Sequence, residues 1–141
     1  DLTVVTCDMM NAIEAESTLP DATIVILGGT LRTGFHYTQG IEAMHQLSRY
    51  HIRTAFICCN AFSTSTGFTA HRAEQASWVR NVIDASSQNV MLLDSSKFGV
   101  TGLATAATFE DIDILVTDTG LSHEKRADIE DVRGDTTVLY A

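Results

Sequence analysis

The sequence has little that would stiffen it, staple it or give it a grip on nucleic acid. It holds one proline and one tryptophan in 141 residues, and nine Lys and Arg against eighteen Asp and Glu. With a formal net charge of −9, the chain itself cannot hold a nucleic-acid backbone, which requires clustered cations. A small anion is a different matter, because a local pocket can be basic on an acidic body. The three cysteines, Cys7, Cys58 and Cys59, are odd in number and lack C-x-x-C spacing. They give neither a disulfide framework nor a zinc site, and read as reduced thiols of a cytoplasmic protein. Cys58 and Cys59 follow an apolar run, so both are expected to be buried. No run approaches the ~18 apolar residues of a membrane span, and no signal peptide is visible, so no membrane partner is expected. None of the five histidines has a metal-ligand spacing such as H-E-x-x-H, so no metal or cofactor is expected either.

What is present is a compact, core-forming composition, 45% hydrophobic without a repeat or low-complexity tract, enough for one domain. Short β-branched or apolar runs at 2–6, 23–27, 53–59, 90–93, 112–117 and 136–140 read as strands. Between them, helical spacing of apolar residues predicts helices over 9–16, 41–50, 71–86 and 123–132. In these, Met9, Ala12 and Ile13 recur at helical spacing, Ile41, Met44 and Leu47 share one face, and Ala73, Ala76, Val79 and Ile83 face inward. The Ser-, Thr- and Gly-rich stretch 60–70 reads as a loop, and 102–109 is ambiguous. Alternating strand and helix, with strands apolar on both faces, predicts an α/β protein with a mostly parallel sheet and helices on both sides, a three-layer αβα fold. The chain opens at Asp1 directly on a strand-like run, as expected of a piece of something longer.

The most informative stretch is Leu92-Leu93-Asp94-Ser95-Ser96-Lys97-Phe98-Gly99, where a buried strand stops at an acid, two hydroxyls, a lysine and a glycine. In open α/β sheets the carboxyl edge of the strands is where ligands bind. Lys97 supplies a point charge, Ser95 and Ser96 supply hydroxyls, and Gly99 lets the backbone turn, a set suited to phosphate. The alternative is local: Asp94 and Ser95 cap a following turn, and Lys97 is solvated. Five strands end in polar clusters, Thr6-Cys7-Asp8, Gly28-Gly29-Thr30, Cys59-Asn60, Asp94 to Lys97, and Asp118-Thr119-Gly120. Parallel strands are expected to set these along one rim, with groups suited to a polyhydroxyl ligand. Turn formation alone would demand much the same residues.

Leu27-Gly28-Gly29-Thr30-Leu31-Arg32, Thr66-Gly67-Phe68-Thr69, Asp94-Ser95-Ser96-Lys97-Phe98-Gly99 and Asp111 to Leu121 occur in the order and spacing of the DeoR-type transcriptional repressors. From Leu2 to Tyr140 the chain resembles their C-terminal effector-sensing domain. The resemblance implies a fold similar to ribose-5-phosphate isomerase and the CoA transferases. It also implies a sensor of a phosphorylated sugar or related metabolite, with operator DNA bound by an N-terminal winged helix-turn-helix. Relative to that pattern the chain, residues 1–141, lacks the DNA-binding part and the first strand-helix unit with its Asp-Ser-Gly-Thr-Thr phosphate loop. A fragment without that loop is expected to sense its ligand poorly. The family's usual Thr-Asn-Ser is Thr6-Cys7-Asp8 here, and Asp8 would repel an anion if it faced the pocket. The usual Ala-Asp-Gly is Cys59-Asn60-Ala61, and the family's helix lysine is replaced by Val79 with Arg80 beside it as a substitute.

The candidate ligand-binding residues are therefore Thr6, Gly28, Gly29, Thr30, Arg32, Asn60, Thr66, Gly67, Asp94, Ser95, Ser96, Lys97, Phe98 and Asp118. Lys97 is the first candidate for the anion, through a charge-assisted bond, and Arg32 the second. Gly28, Gly29 and Thr30 offer backbone N–H groups. Asn60, Thr66, Gly67 and Asp94 meet sugar hydroxyls. Two functions are open. One is a sensor that shifts conformation with its ligand and changes DNA affinity through an attached domain. The other is a sugar-phosphate isomerase with Asp94 or Asp118 as base and Lys97 as electrostatic partner. The specific motifs favour the sensor, a non-enzyme. A repressor of two-fold operators is expected to be a homo-oligomer, with its self-association surface on this domain.

Overall fold

The β-branched and apolar runs fold as strands in a computed structural model that describes residues 1–141. The chain divides into two units, Asp1–Tyr50 and His51–Ala141, each with a parallel strand pair or sheet.

In the first unit, β1 (Thr3–Thr6) leads through α1 (Met9–Thr18) to β2 (Thr23–Ile26), and the two strands pair in parallel, Thr3 opposite Thr23. Asp8 starts α1: its Oδ1 accepts from the N–H groups of Met10 and Asn11 at 2.8 and 2.9 Å. These are two of the first-turn donors a helix leaves unpaired. The inward residues of α1 are Ala12 and Ala15, while Met9 and Ile13 are exposed. The irregular stretch after β2 is an antiparallel hairpin, β3 (Thr30–Arg32) with β4 (Tyr37–Gln39). A short helix, α2 (Ile41–Leu47), follows and buries Ala43 and Leu47. Ile41, expected to share the apolar face of Met44 and Leu47, is 64% exposed, because the buried face is centred on Ala43 and Leu47 instead.

In the second unit, β5 (Ile52–Ile57), β8 (Ser86–Leu92), β10 (Ile114–Thr117) and β11 (Thr137–Tyr140) form a parallel sheet of order β11-β10-β8-β5. It is flanked by α3 (Ala73–Asp84) and α4 (His123–Val132), the α/β class that a three-layer αβα fold belongs to. The stretch expected to be a loop is instead a hairpin, β6 (Ala61–Ser63) and β7 (Gly67–Ala70), extended by the ambiguous segment as β9 (Ala104–Ala107) into an antiparallel sheet. Gly67 makes this possible. Its φ is +71°, and a Cβ there would stand 2.5 Å from the Ala107 carbonyl oxygen.

The core of this unit lies on one face of the four-stranded sheet. Ala55 and Ile57 of β5, Met91 of β8 and Leu115 of β10 meet Ala76, Val79 and Ile83 of α3 and Ile129 of α4. Ala73, expected inward, is exposed. Phe62, Phe68, Phe98 and Phe109 form an aromatic cluster in the same core. Phe62 touches all three others at ring-centroid distances of 4.8–5.4 Å. Strand alternation corrects the reading of the cysteines: Cys59 is buried, but Cys58 points the other way and is exposed. Burial pushes the Cys59 thiol up to about 12, so it remains protonated. Val79 is a core residue. Arg80, the expected substitute for a helix lysine, is paired with Asp84 at 3.1 Å and Asp111 at 2.8 Å.

Candidate functional site

Three of the five polar strand ends fall on the carboxyl edge of the four-stranded sheet, because β5, β8 and β10 are parallel neighbours. Asn60 follows β5, Asp94 to Lys97 follow β8, and Asp118 follows β10. At the centre of the edge, residues Ser95–Lys97 form a single 3-10 turn.

That turn is held from several directions. Asp94 caps it, accepting from the Ser96 N–H at 3.0 Å and from the Ser96 hydroxyl. The Asp118 carboxylate accepts from the Ser95 N–H at 2.7 Å and from the Gly120 N–H at 2.8 Å, so β10 grips the turn carried by β8. Beyond the turn, Phe98 is 3% exposed with its ring against Phe62, and its carbonyl accepts from Lys125 Nζ at 2.6 Å. The Gly99 N–H donates to the Phe62 carbonyl at 2.9 Å. The local alternative is thus part of the answer, since Asp94 does cap the turn. Phe98 contributes to the edge as an anchor in the core.

Lys97 is in none of the ion pairs the chain makes. Its ammonium sits near Asp94 and stabilises that carboxylate's charge. Hydrogen bonds from Ser96, first from its hydroxyl and then its N–H, hold the Asp94 carboxyl below the usual range. The Ser95 backbone N–H does the same for Asp118. Both acids are ionised at neutral pH, the opposite of the raised pKa that suits a general base working near neutrality. Next to Asp118, the buried Thr117 hydroxyl lacks a hydrogen-bond partner.

Asn60 shares this edge. Its Oδ1 accepts from the His71 N–H at 3.0 Å and its own N–H donates to Thr69, leaving the Nδ2 donors for a ligand. Thr66 and Gly67 are not beside it. They lie at the far end of β6 and β7, about 10 Å away at strand rise. There the Thr66 hydroxyl joins Ser63 at 2.6 Å and Thr101 at 3.4 Å.

The remaining candidates belong to the first unit and are largely occupied by its own structure. Thr6 Oγ1 accepts from the Asp8 N–H at 3.0 Å, and Asp8 is spent on capping α1. The Gly28 N–H donates to Gln46 Oε1 at 2.9 Å. Gly29, at φ +138°, passes so close to the Gln39 carbonyl that a Cβ would stand 2.5 Å from it. Thr30 opens β3 opposite Gln39. Arg32 lies over the Phe35 ring at 3.8 Å and donates to the Tyr37 hydroxyl at 2.5 Å. Its guanidinium therefore already has an aromatic and a hydroxyl partner.

The edge thus gathers ionised acids, amide and hydroxyl groups and an ammonium outside the ion pairs, groups able to hydrogen-bond a small polar molecule. The family model described as the DeoR C-terminal sensor domain matches residues 1–119, and the chain belongs to that family. It is similar to the uncharacterized HTH-type transcriptional regulator YulB of Bacillus subtilis, with 30% identity over 99% of this chain and 54% of that protein. It is similar also to the HTH-type transcriptional regulator GolR of Listeria innocua, 29% identical over 83% of this chain and 46% of that protein. A third relative is the HTH-type transcriptional repressor GlcR of Bacillus subtilis, 31% identical over 84% and 45% respectively. The chain spans about half the length of these relatives. The domain is a ligand sensor of the DeoR type, and no helix in it is long and apolar enough to cross a membrane.

Proposed function

We propose that the edge formed by Asn60, Asp94 to Lys97 and Asp118 binds a phosphorylated sugar or related metabolite, with Lys97 on the phosphate. The observation that carries this is the Lys97 ammonium, outside every ion pair, on a turn fixed by Asp94, Asp118 and the buried Phe98. A backbone turn held in place in this way costs little to order when an anion arrives. The Asn60 Nδ2 donors and the Asp94 and Asp118 carboxylates suit the hydroxyls of a sugar. The whole protein would act in the cytoplasm as a homo-oligomer, and ligand occupancy would change operator binding by a DNA-binding segment outside these 141 residues. The low pKa of both acids supports a sensor over an isomerase.

A thermal-shift screen of the full-length protein against sugar phosphates and the same sugars without phosphate tests the reading. Ligand at a hundred times Kd stabilises by about 2.7 kcal/mol, a shift of several degrees. The expected result is a shift with at least one phosphorylated sugar and none with its dephosphorylated form. Equal shifts for both would overturn the assignment of a phosphate site.

A further inference from the structure

We infer that Lys125 is a positioning residue for the ligand turn, holding Lys97 in place by tying the chain just after it to α4. This rests on the reading of Lys97 above, and goes beyond it by assigning a residue 28 positions away, on α4 and outside the proposed edge. Lys125 Nζ donates to the Phe98 carbonyl at 2.6 Å in a partly buried setting. Its own helix start is fixed, since the Ser122 hydroxyl accepts from the Lys125 N–H at 3.3 Å. Both Lys125 and Phe98 line a cleft of about 280 Å³, together with Phe62, Gly99 and Ser122, among others. The lysine stem runs beside Gly99, where a Cβ would lie in ordinary contact, 3.5 Å from Lys125 Cε.

The other braces act before and within the turn through Asp94 and Asp118, and beyond it through the Phe62 carbonyl, which accepts from the Gly99 N–H. Lys125 adds a side-chain donor to the Phe98 carbonyl, immediately after the turn. It matters to α4 as well, because that helix buries a single residue, Ile129. The turn and α4 therefore hold each other. Without the Nζ donor, the Phe98 carbonyl loses its partner and the 95–99 backbone gains freedom. Apparent affinity then falls in proportion to the fraction of molecules with Lys97 still in place.

The test compares Lys125→Met, Lys125→Arg and Lys97→Met in the full-length protein. Inorganic phosphate is the probe, titrated by 31P NMR at several salt concentrations, with amide hydrogen exchange on residues 95–99 alongside. Lys125→Met is expected to weaken phosphate binding about three- to tenfold with the wild-type salt dependence, since the lost charge does not face the anion. Lys97→Met is expected to weaken binding and flatten that dependence. Lys125→Arg, which keeps a donor, is expected to recover most of the affinity. Exchange at 95–99 should accelerate in Lys125→Met and return towards wild type in Lys125→Arg. Wild-type binding and exchange in Lys125→Met, with loss in Lys97→Met, would overturn this inference alone. A flattened salt dependence in Lys125→Met would make Lys125 a direct contact and overturn it too. Absence of phosphate binding in the wild type would overturn both this inference and the site it rests on.

Discussion

Truncation of Phe98 to alanine separates the anchor of the ligand turn from its chemistry. The ring is 3% exposed and packs on Phe62 at a centroid distance of 5.4 Å. Phe→Ala in a core costs about 3–5 kcal/mol, combining lost transfer free energy with the cavity left behind. For a chain of this size that lowers the melting temperature by about 10–15 °C. Phe62→Ala should cost more, because its ring meets three others and Phe98 meets one. At about 0.5–1.5 kcal/mol for each aromatic pair, the difference is at least about 1 kcal/mol. Phe98→Leu, which refills part of the volume, should cost less than half as much as Phe98→Ala. Urea denaturation followed by the fluorescence of Trp78, the one tryptophan and part of α3, reads the unit concerned. A loss under 1 kcal/mol for Phe98→Ala, or a larger loss than for Phe62→Ala, would refute the assignment of Phe98 as a core anchor.

Three further outcomes follow from named contacts. Gly67→Ala forces a side chain onto φ +71° and against the Ala107 carbonyl, and should lower stability by about 1–3 kcal/mol in the same urea assay. Asp118 has a folded-state pKa below its unfolded value, so its contribution is present above the unfolded pKa and is lost as pH falls through the folded one. Acid titration of stability should therefore be shallower below pH ~4 in Asp118→Asn than in the wild type. In maleimide labelling of the native protein, Cys58 should react readily and Cys59 only after unfolding, since one is exposed and the other buried with a raised pKa.

The parallel strands were legible because β-branched and apolar runs such as Thr23–Ile26 and Ile114–Thr117 have no competing period. The two antiparallel hairpins were not. Thr30–Arg32 and Ala61–Ser63 are three-residue strands among Ser, Thr and Gly, which locally are as good for loops, and cross-strand pairing decides them. The buried faces of α1 and α2 were not legible either, for a related reason. Met9, Ile13 and Ile41 have the larger hydrophobic side chains, but the small residues Ala12, Ala15 and Ala43 are the ones that fit against the strands. At the candidate site, the run from Asp94 to Lys97 was legible as a polar turn ending an apolar strand, capped by Asp94. The commitments of its neighbours were not. The Arg32 stack on Phe35 exists only once the hairpin folds, and the Asp8 carboxylate turned inward to α1 removes the repulsion its sequence position suggested. Lys125 carries no motif, and only the packing of α4 brings it to Phe98.

The central claim, that Lys97 holds the anion, is tested most directly by isothermal calorimetry of full-length wild type and Lys97→Ala with the phosphorylated sugar that the thermal screen selects. Loss of one hydrogen bond to a charged group, about 1.5–3 kcal/mol, predicts binding weakened about ten- to hundred-and-fifty-fold with folding intact. Unchanged affinity in Lys97→Ala would contradict the account.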